Sequence, residues 1–315
     1  MTKERQIVQR IVENIEQVIV DKHDAISLVM IAMLCEGHVL IEDMPGVGKT
    51  SLVLSMVRSI SAEGKRIQFT PDTTPSDIIG VSIFNQKTMD FEFRPGACMC
   101  NILLADEINR TSPRTQAALL EVMEERRVTV DGNTIPLPSP FMVLATQNPL
   151  EHAGTYLLPE AQLDRFFLRI SMGYPSLEGE RLMLKRFLLQ SPLEKLLPVV
   201  TTDDVLAASQ AVLEVFVDPD VIGYVTDVVS ETRRNPLLSA GASPRASLAL
   251  LKAARAHAFM AGRDFVLPDD VKAMAGPVLE HRLSLSQDGK LKGLRPAEVI
   301  AMILKSVKVP VLRHV

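Results

Sequence analysis

The first 175 residues alternate short apolar runs with longer stretches of helical period. The runs are 38–42 (HVLIE), 66–70 (RIQFT), 101–105 (NILLA), 141–146 (FMVLAT) and 167–170 (FLRI). Each has the length of a buried strand, and helical patterns such as 112–126 separate several of them. That alternation predicts parallel strands joined by crossover helices, an α/β sheet. Two hairpins interrupt it. One is 81–93 (VSIFNQKTMDFEF); the other is 128–137 (VTVDGNTIPL), with Asp131-Gly132 as its turn signal. Beyond Tyr174-Pro175 the strand signals fade. Asp218-Pro219 and Ser243-Pro244 each offer a polar cap followed by proline at the first helical position, and Pro268 and Arg295-Pro296 read as further helix starts. The pattern therefore places a boundary near residue 175, with residues 1–175 forming the α/β domain and 176–315 an all-helical one.

Composition changes this picture little. A chain of 315 residues predicts about two domains. Apolar residues make up 47% and charged residues 23%, an ordinary globular balance. The net charge of −4, the absence of tryptophan and an aromatic content of 4% argue against a broad nucleic-acid surface or base-stacking platform. The longest apolar stretch, 25–35, is interrupted by Ser27 and stopped by Glu36. It falls short of the roughly 20 residues a membrane span needs and reads as a core helix. The charged, helix-periodic N-terminus does not read as a signal peptide. Cys35, Cys98 and Cys100 lack framework spacing, which fits a reducing compartment. In a strand Cys98 and Cys100 would share a face, but no further Cys or His lies near in sequence, so buried thiols are expected. Together these features predict a soluble cytoplasmic protein.

Candidate chemistry concentrates in five stretches. EDMPGVGKT, 42–50, lies between an apolar strand and a helix beginning near Lys49. A phosphate loop needs backbone N–H groups turned inward, and Gly46 and Gly48 supply the required dihedrals. Lys49 can reach the β- and γ-phosphates of ATP, Thr50 can offer its hydroxyl to Mg²⁺, and the helix start favours anions. Pro45, Gly46, Val47, Gly48, Lys49, Thr50 and Ser51 are the expected nucleotide contacts. ILLADE, 102–107, delivers two carboxylates at a strand end. Asp106 can hold the Mg²⁺ shell and Glu107 can orient or deprotonate the attacking water. Asn148 ends the 141–146 strand, where an amide can hold that water or read the γ-phosphate, although Asn-Pro is also an ordinary turn. Arg165, in LPEAQLDRFF (158–167), could stabilise transition-state charge on a neighbouring subunit, or form a surface ion pair with Asp164 or Glu160. Arg245, in GASPRA (241–246), falls in a first helical turn, where the dipole disfavours cations. An anionic partner would explain it; a solvated arginine is the alternative.

In this order the stretches resemble an AAA+ ATPase of the MoxR family, over about residues 10–310. The resemblance is most specific in GHVLIEDMPGVGKT, RIQFTPD, DIIGVSIFNQKT, FEFRPG, LADEINR, QAALLEVMEER, ATQNP, LPEAQLDRFF and GASPRA. It implies an AAA+ αβα P-loop core with a parallel sheet, followed by a helical lid, with nucleotide bound between them. Under it, Gly46 to Thr50 match Walker A, Asp106 and Glu107 Walker B, Asn148 sensor 1, Arg165 the arginine finger and Arg245 sensor 2. Residues 18–21 fall near the adenine. The hairpin at 81–93 matches the helix 2 insert, and 128–137 the hairpin before sensor 1. The resemblance further implies Mg-ATP hydrolysis and a homo-oligomeric, hexameric ring whose inserted hairpins face its surface or pore. It also implies chaperone-like remodelling of a protein client, with a von Willebrand factor A-domain partner. Asp43 departs from the first Walker A glycine, Met89 from a usual hairpin glycine and Leu157 from a usual proline.

Other functions compete. A metal chelatase-type subunit shares the core, and a nucleotide-controlled binding switch would need little catalysis. A nucleic-acid motor would need a basic track along the inserts. The first hairpin carries only Lys87 against Asp90 and Glu92, and the second carries Asp131 with no Lys or Arg. That disfavours phosphate tracking. Phe84, Phe91 and Phe93 gather in one hairpin, either to touch a protein or to pack it onto the core.

Overall fold

The computed structural model describes residues 2–44, 46–148, 155–188 and 190–311. Its strands, in chain order, begin with β1 (Val39–Glu42), β2 (Gly64–Gln68), β3 (Gly80–Asn85), β4 (Asp90–Pro95) and β5 (Ile102–Asp106). They continue with β6 (Arg127–Val130), β7 (Asn133–Pro136), β8 (Met142–Gln147) and β9 (Leu168–Ile170). The five apolar runs form one sheet in the order β2-β5-β8-β1-β9, every pair parallel. β2 ends two residues earlier than its run, because Gly64–Gln68 pairs one-to-one with Ile102–Asp106.

Both faces of the sheet are buried along β1, β5 and β8, as parallel strands require, while the edge strand β2 is only partly covered. Side chains alternate across the pleat. Val39, Ile41, Ile102, Leu104, Met142 and Leu144 enter one apolar cluster with the helices Lys3–Glu16, His23–Leu34 and Lys49–Ser59. Leu40, Leu103, Ala105, Val143 and Ala145 enter the other, against Pro75–Ile79 and Pro113–Glu125. This is a three-layer αβα core. The two hairpins are antiparallel ribbons, β3 with β4 and β6 with β7. Asp131 (φ 51°) and Gly132 (φ 79°) both lie in the left-handed region, as a two-residue hairpin turn of this hand demands.

After β9 the chain is helical, with Thr202–Val212, Pro219–Arg234, Pro244–Met260, Pro268–Leu279 and Pro296–Ser306 as the principal helices. One short antiparallel pair joins them, β10 (Leu238–Ala240) and β11 (Ser284–Leu285). Asp218 caps its helix as expected, accepting from Asp220 N at 2.8 Å. Ser243 does not; its hydroxyl donates instead to Asp164 Oδ2 at 3.0 Å. Residue 175 marks the end of the sheet but no break in packing, since one apolar cluster runs from Ile7 through β1 to Ile303. Arg5, at the start of the chain, donates to Phe259 O (3.2 Å) and to Asp264 (2.6 Å). No helix among the described residues is long and apolar enough to cross a membrane.

Met89, which stands where a glycine is usual, adopts φ 57° and is 74% exposed. A left-handed non-glycine residue costs about 1–2 kcal/mol. Met89→Gly is therefore expected to stabilise the fold by roughly 1 kcal/mol once glycine's extra unfolded-state entropy is subtracted, read as a raised urea midpoint. An unchanged midpoint would show that this turn carries no strain.

His38 sits inside the core, with Nε2 donating to Met123 O (2.9 Å) and Nδ1 accepting from Val143 N (3.0 Å). Burial pushes its pKa down to about 4. The unfolded imidazole titrates near 6.5 and takes up its proton first. The stability contributed by the neutral ring is thus complete above about pH 6.5 and is lost as pH falls towards 4. Denaturant midpoints between pH 7 and pH 4.5 should fall more steeply for the wild type than for His38→Gln. Parallel curves would contradict this.

Candidate functional site

Parallel strands bring their C-terminal ends to one edge, and open α/β sheets bind ligands there. Here that edge carries the loop after β1, the acidic pair ending β5 and the amide after β8. Glu42 aligns with Gln147, and Ala105 with Ala145, so all three meet at one level.

Gly46 (φ 85°) and Gly48 (φ 94°) hold the loop in left-handed dihedrals. A Cβ on either would meet nothing within 4 Å, so the backbone conformation and not space demands glycine. Gly48 starts the Lys49–Ser59 helix, whose unpaired N–H groups and positive end face the loop. Lys49, Thr50 and Ser51 lie half-buried in its first turn. Lys49 Nζ donates to Asp43 O at 3.1 Å. Pro45, the remaining expected contact, lies outside the described residues. Beside the loop opens a cleft of about 370 Å³. Val18, Ile19 and Val20 line one side, Gly46, Val47, Gly48 and Ser51 a second, and Tyr174, Met183 and Phe187 the third. Its apolar walls suit a heteroaromatic ring, and the loop at its edge suits phosphates.

Asp106 is held from two sides. Arg66 pairs with Oδ2 at 2.7 Å, and the Thr146 hydroxyl donates to Oδ1 at 2.5 Å. Glu107 adopts φ 58°, an uncommon conformation for a side chain of its size. Its backbone N–H donates to the same Thr146 hydroxyl (2.9 Å), while its Oε2 accepts from Gln68 (2.6 Å) and Arg110 (3.0 Å). Strained backbone of this kind persists where surrounding bonds over-determine it, and it clusters at working sites. Asn148 is buried immediately after β8. The oxygen donors Thr50 and Asp106 fit Mg²⁺, which prefers few protein ligands and takes the rest from water and substrate phosphates.

Arg165 and Arg245 lie elsewhere. Both pair with one carboxylate, Glu124, at 3.4 and 2.6 Å. Glu124 ends the Pro113–Glu125 helix, next to Met123, whose carbonyl meets His38 just before β1. The arginines therefore sit at the N-terminal edge of the sheet, with the length of β1, about 13 Å, between them and the loop. Arg245 is thus placed away from the loop of its own chain, where a contact with nucleotide in cis would need it to lie. The Pro244–Met260 helix begins against the wrong end of the strands for that, and its residues do not line the cleft. Arg165 and Arg245 instead line a second cleft, of about 300 Å³, with Arg126, Lys252 and Arg282. Arg282 fixes the segment bearing Arg165, donating to Asp164 Oδ1 (2.7 Å) and Phe166 O (2.6 Å), while His281 meets Phe166 O at 3.0 Å.

Several of these residues were not singled out by the sequence patterns. Arg66 and Gln68 had a usable signal, since alternate strand positions share a face and both face the acidic pair. Thr146, Glu124 and Arg282 had none, because their partners are distant in the chain. Cys98 and Cys100 are buried core thiols, and burial pushes them up to about 11 and about 12.

Residues 38–168 match the model of the ATPase family associated with various cellular activities (AAA), and residues 230–303 match the AAA lid domain. The uncharacterized protein YeaC of Bacillus subtilis is 51% identical over 96% of this chain and 94% of its own. Chaperone MoxR1 of Mycobacterium tuberculosis is 42% identical over 96% of this chain and 82% of its own. Protein MoxR of Paracoccus denitrificans is 31% identical over 85% of this chain and 86% of its own. The crystal structure of a candidate ATPase from Cytophaga hutchinsonii superposes with a TM-score of 0.92, at 36% identity, covering 98% of this chain and 96% of that one.

Proposed function

The chain belongs to the MoxR family of AAA+ ATPases, and from that premise we propose that it hydrolyses Mg-ATP in a hexameric ring of identical chains. The cycle drives chaperone-like remodelling of protein complexes in the cytoplasm, with a von Willebrand factor A-domain protein as partner. The observation that carries this reading is the separation within one chain. The phosphate loop and acidic pair occupy one edge of the sheet, and Arg165 and Arg245 share Glu124 at the other. Neither arginine reaches the nucleotide of its own chain, so each site is completed by the next copy.

In this site the loop amides and Lys49 would hold the phosphates, and Thr50 and Asp106 would hold Mg²⁺, which would supply charge neutralisation there. Glu107 orients the attacking water and accepts its proton, and Asn148 helps to place that water. Arg165 and Arg245 of the adjacent copy stabilise the charge that develops on the transferred phosphoryl group. Glu124 competes with the phosphate for both arginines and keeps them paired until the copies dock.

The β3–β4 ribbon supplies a contact surface for a protein partner or client. Phe93 packs on the core, whereas Phe84 and Phe91 stack edge-on at 5.4 Å and remain exposed, Phe91 by 68%. Turnover per chain, measured with Mg-ATP across a dilution series alongside the oligomeric state, tests the reading. It is expected to rise as chains assemble. Turnover per chain that stays constant while the assembly dissociates would refute it.

A further inference from the structure

Asp43 stands where a phosphate loop ordinarily carries its first glycine, and its side chain is almost wholly buried. It is not among the residues with positive φ, so this position makes no demand for glycine. The carboxylate instead takes three donors from the chain leaving β9. Ser171 Oγ reaches Oδ1 at 2.7 Å, Gly173 N reaches Oδ1 at 3.1 Å, and Met172 N donates to Oδ2. Charge-assisted bonds of this kind are about twice as strong as neutral ones. The main chain of the same residue accepts Lys49 Nζ.

The segment so gripped leads into the wall of the nucleotide cleft. Tyr174 lines that cleft, and its carbonyl takes Lys22 Nζ at 2.6 Å. Ser176 then caps the Leu177–Phe187 helix, which contributes Met183 and Phe187 to the same wall. One residue thus touches Lys49 at one end and, at the other, the segment that leads into the base-side wall.

We infer that Asp43 is a positioning residue that couples the phosphate loop to the 171–187 wall, so that Lys49 turning from the Asp43 carbonyl to a phosphate oxygen is felt at the base-side wall. The inference rests on the ATPase reading for its ligand but not for its bonds. A coupling of this kind needs an element with two arrangements, and the lysine supplies one.

Asp43→Gly, Asp43→Asn and Ser171→Ala should be compared with the wild type in three measurements. These are equilibrium binding of a non-hydrolysable ATP analogue, kcat, and amide hydrogen exchange across 171–187 with and without the analogue. The analogue is expected to slow exchange across 171–187 in the wild type. Asp43→Gly should still bind it, lose that protection and lower kcat about three- to thirtyfold, a range typical of residues that modulate coupling. Asp43→Asn should fall between, because its amide keeps the Oδ1 bonds but meets Met172 N donor to donor. Ser171→Ala, which keeps carboxylate and loop intact, should show the smallest loss. Wild-type protection and kcat in Asp43→Gly would overturn the inference. So would loss of protection only in proportion to loss of binding. If Asp43→Gly fails to fold, unaltered protection and kcat in both Asp43→Asn and Ser171→Ala would overturn it equally. A wild type that binds no nucleotide would sink the ATPase reading. Faster exchange at Met172 and Gly173 in nucleotide-free Asp43→Gly would still establish the brace.

Discussion

Replacing Arg165 by alanine should leave ATP binding in place and lower kcat by about 10³-fold or more, the scale on which an arginine finger acts. The substitution is expected to be clean. The 164–167 segment is held by Arg282, His281 and Ser243 and not by the Arg165 side chain itself. The side chain is about one-third exposed and meets Glu124 at 3.4 Å, so its removal takes away a charge without opening the core. The loop, Lys49 and the cleft lie at the opposite edge of the sheet and keep their geometry. Fluorescent-nucleotide titration and steady-state turnover on the same preparation separate the two effects. Full turnover in Arg165→Ala would mean that the arginine is a surface ion pair after all.

Glu107→Gln should lower kcat by about 10²–10⁴-fold, the contribution of a general base, while ATP remains bound. Glutamine keeps the length of the side chain and can still accept from Arg110, so the left-handed backbone at this position need not relax. What is lost is the carboxylate that, in the proposed mechanism, takes the proton of the attacking water. On the proposed reading, a chain arrested with ATP bound should hold the proposed ring, partner and client together, and capture from lysate in ATP reads this out. Unchanged remodelling by Glu107→Gln would instead favour a binding switch that needs no hydrolysis.

Much of the fold was legible because its causes are local. Apolar runs of strand length mark β1, β5, β8 and β9, Asp131-Gly132 turns the second hairpin, and prolines begin the later helices. The left-handed turns at Gly46 and Gly48 were legible because such a loop is built from consecutive residues. The placement of Arg245 was not. A first-turn arginine announces an anionic partner, but which edge of the sheet its helix approaches depends on packing between distant segments. The carboxylate Glu124 lies 121 positions away in the chain. Asp43 was visible only as a departure from a motif; its reason lies just beyond the neighbouring strand β9, at Ser171, Met172 and Gly173. Arg66 and Gln68 lay inside a strand whose apolar neighbours dominated the pattern.

The central claim is that one chain supplies the phosphate loop and the next supplies the arginine. Mixing Lys49→Ala, which keeps its arginine but has a disabled loop, with Arg165→Ala, which keeps its loop but lacks the arginine, tests it most directly. Each variant alone should be nearly inactive, and the mixture should recover a substantial part of wild-type turnover through sites that pair an intact loop with an intact arginine. A mixture no more active than its two components, under conditions where the variants are shown to co-assemble, would contradict the account.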